Sequence, residues 1–148
     1  MQLELVVQNM TRAKGLPGRA AFRQWADAAL VGAGKGIATV TLRLVGKAES
    51  ARLNQRYRGK TGPTNVLSFS YEAERGLSGD IVICVPVVTK EAAAQNKHLR
   101  AHWAHLVVHG ILHLRGHDHL SEAEARIMET LEIRILRRLG FPNPYLIP

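Results

Sequence analysis

The chain has 148 residues, 46% apolar and 22% charged, with a net charge of +8 and a pI near 10.3. That length suits one domain with a real core, and no run of about 18 uncharged apolar residues offers a membrane span. Cys84 is the only cysteine, which excludes an intrachain disulfide and fits a reducing cytoplasm, while so basic a domain often meets nucleic acid or another polyanion.

Residues 2–8 read as a short strand, and the opening MQLELVVQNMTRAK lacks the basic start, apolar stretch and cleavage site of a secretory signal. After Leu16-Pro17-Gly18 a helical pattern places Phe22, Trp25, Ala26, Ala29 and Leu30 on one face and stops at the glycines 32, 34 and 36. Residues 37–45, IATVTLRLV, alternate and are β-branched, as a strand requires. Residues 47–57 predict a helix with Arg52 and Arg56 one turn apart, followed by a loop at 58–63 and strands at 66–71 and 80–85. Pro86 starts a helix over 86–96, and a longer one runs from about 98 to 115. Ser121 opens the last helix in a capping box with Glu124, and that helix ends before Gly140. The expected fold is α+β: a single mixed sheet of about four strands with several helices packed on it.

The positive charge is concentrated. Arg43, Lys47, Arg52, Arg56, Arg58 and Lys60 face only Glu49 between positions 43 and 60, which accounts for five of the eight net charges. Tyr57 lies inside this segment, where it can stack on a base.

The long helix carries the chemistry. WAHLVVHGILHL, residues 103–114, is apolar all round and therefore buried. Yet His98, His102, His105, His109 and His113 fall on one stripe, within an arc of about 80° at about 100° per residue. A buried imidazole needs a hydrogen-bond partner, a charge or a metal. A lone histidine on such a face is most often a satisfied packing residue. The i, i+4 pair His109 and His113 instead aims two ring nitrogens at one point. Gly116 can end the helix in the left-handed conformation and turn the chain back, bringing His119 to the same point, with His117 as its rival. Three imidazoles and an open position make a catalytic zinc site rather than a closed structural one. The spacing matches the metzincin pattern H-E-x-x-H-x-x-G-x-x-H, except that position 110 is Gly. The base of those proteases is missing, so peptide hydrolysis by their route is excluded.

HGILHLRGHDH, residues 109–119, resembles the H-G-x-L-H-L-x-G-Y/H-D-H signature of the YbeY-type bacterial endoribonucleases, with His117 where Tyr is commoner. YRGKTGPTNVLSF, residues 57–69, resembles that family's second block, and Gly79-Asp80-Ile81-Val82-Ile83-Cys84 its third. The resemblance covers most of residues 40–120. It implies one metal-dependent endoribonuclease domain over 1–148, with a zincin-like metal helix. The activity it implies is specific for single-stranded RNA, serving maturation of the small-subunit rRNA 3′ end and ribosome quality control. The implied partners are rRNA, the small ribosomal subunit and its factors, with no DNA and no membrane. It also implies one Zn²⁺ held by His109, His113 and His119, and a functionally important arginine at Arg58. A bound Zn²⁺ can act as a Lewis acid or lower the pKa of its water to about 7, and a guanidinium can donate two hydrogen bonds to phosphate oxygens.

Alone, Arg58 reads as a solvated loop charge; the basic segment and the family block give it the phosphate role. Arg52, Arg56 and Lys60 are RNA-binding candidates. Asp118 either orients a ligand ring or caps the turn. Asn65 and Ser68 read as cleft-lining or strand-capping residues, with the structural role favoured; Asp80 reads as a turn residue, Phe69 and Tyr71 as core, and Cys84 as a buried strand residue. His98, His102 and His105 read as packing, His105 being close enough to touch a ligand ring. The competing functions are a non-catalytic, metal-containing RNA-binding or ribosome-assembly factor and a zinc hydrolase on another substrate.

Overall fold

A computed structural model describes residues 1–146. The elements run β1 (Gln2–Asn9), α1 (Arg19–Ala29), β2 (Ile37–Val45), α2 (Lys47–Arg58), β3 (Val66–Tyr71), β4 (Gly76–Cys84), α3 (Val85–Ala94), α4 (Leu99–Leu114) and α5 (Glu122–Arg138). One sheet has the order β1-β2-β4-β3, with β1, β2 and β4 parallel and β3 antiparallel to β4. The expected mixed four-stranded α+β architecture is therefore present.

Alternation along β2 sends Ala38, Val40, Leu42 and Leu44 into the main core, where they meet Phe22 and Trp25 of α1 and the apolar body of α4. Trp103 of α4 stands edge-on to Phe22 at 5.8 Å between ring centroids. The last helix starts as its sequence requires, with Ser121 Oγ accepting a hydrogen bond from the Glu124 backbone N–H at 3.1 Å.

Strand β4 begins four residues earlier than the sequence suggests. Its first residues, Gly76-Leu77-Ser78-Gly79, contain no β-branched residue, but they pair with Ile37 to Val40 of β2. Pairing with β2 along the whole stretch, and with β3 at Ser78 and Gly79, overrides the poor strand propensity. Asp80 consequently lies inside β4 rather than in a turn, and its carboxylate accepts the Tyr71 hydroxyl at 2.7 Å. Tyr71 is exposed rather than core, while Phe69 is half-buried and packs against Tyr57. Cys84 is buried at the end of β4.

Two glycines let α4 lie close on this strand. A Cβ at Gly79 would stand 2.4 Å from Leu114 Cδ2, and one at Gly110 would stand 2.8 Å from Ile81 Cγ2. Position 110 thus faces the sheet. The absent protease glutamate is a packing requirement here: any side chain at 110 would drive into Ile81.

Candidate metal centre

Gly116, just past the Arg115 cap of α4, takes φ +95°. The Gly116 N–H donates to the His113 carbonyl at 2.9 Å and the His117 N–H to the Leu112 carbonyl at 3.0 Å, which closes the last turn and reverses the chain. The reversal brings His119 back to His109 and His113, and one ligand atom from each of the three lies within 4.8 Å of the others. The Nε2 atoms of His109 and His113 face each other at 3.1 Å. Two nitrogens on one tetrahedral zinc are about 3.3 Å apart, so this pair stands at ligand spacing. His119 is the more exposed member, its ring 5.2 Å from that of His113. His117 is half-buried and outside the group.

A second trio, His105, His109 and Glu132, shares His109 with the first. Distances separate the two. Glu132 Oε2 is 2.6 Å from His105 Nε2 and 3.1 Å from His109 Nδ1. The shorter contact is tighter than ligand atoms around one metal stand and is instead a strong hydrogen-bond length. A carboxylate only accepts, so both ring nitrogens donate. In its neutral form His109 then carries its proton on Nδ1, and the Nε2 lone pair points at His113.

Electrostatics agree with a cation site. Burial, reinforced by the neighbouring His109 and His119, holds His113 down to about 4, so its ring is neutral and free to ligate near pH 7. Burial alone would raise Glu132, but the hydrogen bonds from His105 and His109 outweigh it and hold the carboxyl at about 2. The Tyr145 hydroxyl donates to Glu132 Oε1 at 2.6 Å. Burial first, and then that carboxylate, push the phenol up.

The mouth of the site is built by α2 and the loop after it. Ser50 and Asn54, both buried on α2, bond the Thr64 and Gly62 carbonyls at 3.0 and 2.8 Å. These bonds fix the 59–64 loop against the helix. Arg58, at the end of α2, then lines one cavity of about 200 Å³ together with Thr64, Asn65, Val66, Ser68, His109, His113 and His119. Arg58 and all three histidines expected from the sequence thus meet around one space. Arg52, Arg56 and Lys60 are exposed and do not line it; Arg56 lies over the Tyr57 ring at 5.4 Å. Arg43 is bound to Glu49 through both Nε and Nη2, so it is no free cation. Asp118 Oδ1 accepts the His119 backbone N–H at 2.7 Å and stands 3.8 Å from its ring Nδ1. Its bond is to the turn rather than to a ring.

Glu132 and Tyr145 were not anticipated. Glu132 had a readable signal, because it sits on the apolar stripe of α5 with Met128, Ile135 and Leu136, where a carboxylate is out of place. Nothing in the sequence announces Tyr145.

The Endoribonuclease YbeY family model matches residues 9–140. The chain is 56% identical to Endoribonuclease YbeY of Methylococcus capsulatus over 97% of its own length and 95% of that protein. It is 48% identical to Endoribonuclease YbeY of Nitrosomonas eutropha over 97% of this chain and 99% of that one. The solution structure of TM1509 from Thermotoga maritima superimposes with a TM-score of 0.61 at 24% identity, covering 93% and 92% of the two chains, and is similar in fold.

Proposed function

Since the chain belongs to the YbeY endoribonuclease family, we propose that it is an endoribonuclease acting in rRNA processing. More finely, the proposal is a single domain that cuts single-stranded RNA with one Zn²⁺, matures the 3′ end of the small-subunit rRNA and serves ribosome quality control in the cytoplasm. The observation that carries it is the convergence of Arg58 with His109, His113 and His119 on one cavity.

The donor set fits zinc: two imidazole nitrogens at ligand spacing and a third within 4.8 Å, with one ring bonded on its far side to a buried carboxylate. His109, His113 and His119 would hold the ion, which when bound supplies Lewis-acid stabilisation and an activated water. Arg58 binds and orients the phosphate, with two N–H groups for the oxygens on which charge grows during cleavage. Thr64, Asn65 and Ser68 border the same space and can hold the sugar through hydroxyl and amide groups. A second space of about 310 Å³ shares Asn65, Val66 and His109 with the first, room for the chain on one side of the cut. A cleft of this size admits an unstacked strand more readily than a duplex, which supports single-strand specificity. Exposed Arg52, Arg56 and Lys60 beside the mouth hold the strand through its phosphates. Among the described residues, no helix is long and apolar enough to cross a membrane.

The test is cleavage of a single-stranded RNA by the wild type and His113→Ala, with metal measured in both. Wild type holding about one zinc and cutting, with both lost in the variant, supports the reading. Equal cutting by both removes the site from the chemistry and favours the RNA-binding factor.

A further inference from the structure

We propose that Glu132 is the positioning residue for the ligand His109, itself locked in place by Tyr145 and His105. The inference rests on the reading of His109, His113 and His119 as a zinc site. It assigns a task to three residues outside that site, one of them in the C-terminal tail.

The first argument is energetic. Glu132 is 1% exposed, in the middle of the buried stripe of α5. Ionised carboxylates are costly to bury, and replacing a buried ionic group by a well-packed apolar one is often neutral or stabilising. Packing of α5 on α4 does not call for a carboxylate there. His105 carries a similar cost. In the neutral ring, donation through Nε2 leaves Nδ1 as an acceptor, and that atom is buried without a partner among the described residues. A fold built for stability alone would keep neither feature.

The second argument is the division of labour between the two carboxylate oxygens. Tyr145 occupies Oε1 at 2.6 Å. Oε2 receives His105 at 2.6 Å and His109 at 3.1 Å. The carboxylate is thus held from two sides, which fixes the plane it offers to His109. The bond to Nδ1 sets the His109 tautomer and the rotation of its ring, and it raises the basicity of Nε2. Tyr145 reaches this point because the tail folds back, and Lys97 Nζ, from the turn before α4, donates to the Pro144 carbonyl at 2.6 Å. Closing of the tail and readiness of the metal site are linked through one carboxylate.

The experiment measures the zinc dissociation constant of the full chain by chelator competition, with far-UV circular dichroism and a melting scan of the metal-free protein beside it. Glu132→Leu is expected to bind zinc about 10–100-fold more weakly while remaining folded. Glu132→Gln, which keeps an acceptor oxygen, and Tyr145→Phe, which frees Oε1, are expected to lose less, each under about tenfold. A folded Glu132→Leu protein with wild-type zinc affinity overturns the proposal, because a purely structural Glu132 would move the melting temperature alone. Should that variant not fold, ¹⁵N shifts of the wild-type histidines decide: His109 protonated on Nδ1 supports the proposal and Nε2 protonation overturns it. A wild-type chain that takes up no zinc overturns the metal reading itself, and the positioning role with it.

Discussion

The two halves of the histidine stripe on α4 carry one residue type at one helical spacing and end in different chemistry. In the N-terminal half, His102 is 4% exposed and bound to Glu91 of α3 at 2.9 Å, and His105 is bound to Glu132 of α5. In the C-terminal half, His109 and His113 turn their Nε2 atoms toward each other at the edge of a cavity. What separates them is the facing element. Where a carboxylate arrives from α3 or α5, the imidazole becomes a donor inside the protein. Where the neighbours are Arg58 and an open cavity, the Nε2 atom is left to face another ligand nitrogen. His109 belongs to both halves at once, one nitrogen for each.

The comparison breaks most visibly at Arg58. Arg58→Ala is expected to cut RNA cleavage by roughly 10²–10³-fold, the cost of removing one donor to developing charge. Its zinc content should stay that of the wild type, because Arg58 lines the cavity without joining the trio. Loss of zinc along with activity would make Arg58 part of the frame rather than a phosphate-binding group.

His102→Ala should do the reverse of His113→Ala. It empties a buried position and takes one donor from Glu91, which keeps Asn65, so the unfolding free energy should fall by about 2–3 kcal/mol in denaturant titration, with zinc retained. His113→Ala should lose zinc with little change in metal-free stability near pH 7.

The same contrast has a pH signature in the metal-free protein. The folded value of His113, about 4, lies below the ordinary 6.5. The unfolded chain therefore takes up its proton first, so stability is present above pH 6.5 and lost as the pH falls toward 4. With this half-buried ring screened in part by solvent, the loss is on the order of 1–2 kcal/mol. It should be missing from His113→Ala when unfolding midpoints at pH 7 and 4.5 are compared.

Much of this was legible in the residues. The stripe, the i, i+4 pair, the glycine turn and the third histidine follow from helical geometry. The mixed sheet follows from β-branched runs such as IATVTLRLV. What the sequence hid was tertiary. Gly76 to Gly79 form a strand only because β2 pairs with all four and β3 with the last two, Glu132 meets His109 from 23 residues away, and Tyr145 meets Glu132 across a reversed tail. Gly110 is the instructive case. The sequence shows a missing glutamate, but only the contact with Ile81 shows why none fits. Gly110→Ala should gain about 1 kcal/mol of helix propensity and lose about 1–3 to overpacking. The net result is a protein destabilised by about 1 kcal/mol in urea titration, with zinc still bound.

The smallest effect concerns the basic segment, where charges close in sequence separate again by partner. Binding of a single-stranded RNA should weaken with salt, each phosphate contact contributing about 0.7 to the slope of log affinity against log salt. Replacing Arg52, Arg56 and Lys60 together by Gln should flatten that slope by up to about 2, since all three are exposed and outside the cavity. Arg43→Gln should leave it unchanged, because its guanidinium is already spent on Glu49. A slope that responds equally to Arg43 would mean that RNA competes successfully for that ion pair. The strand would then run across the sheet face beside Tyr57 and Phe69 rather than keep to the rim of the histidine cleft.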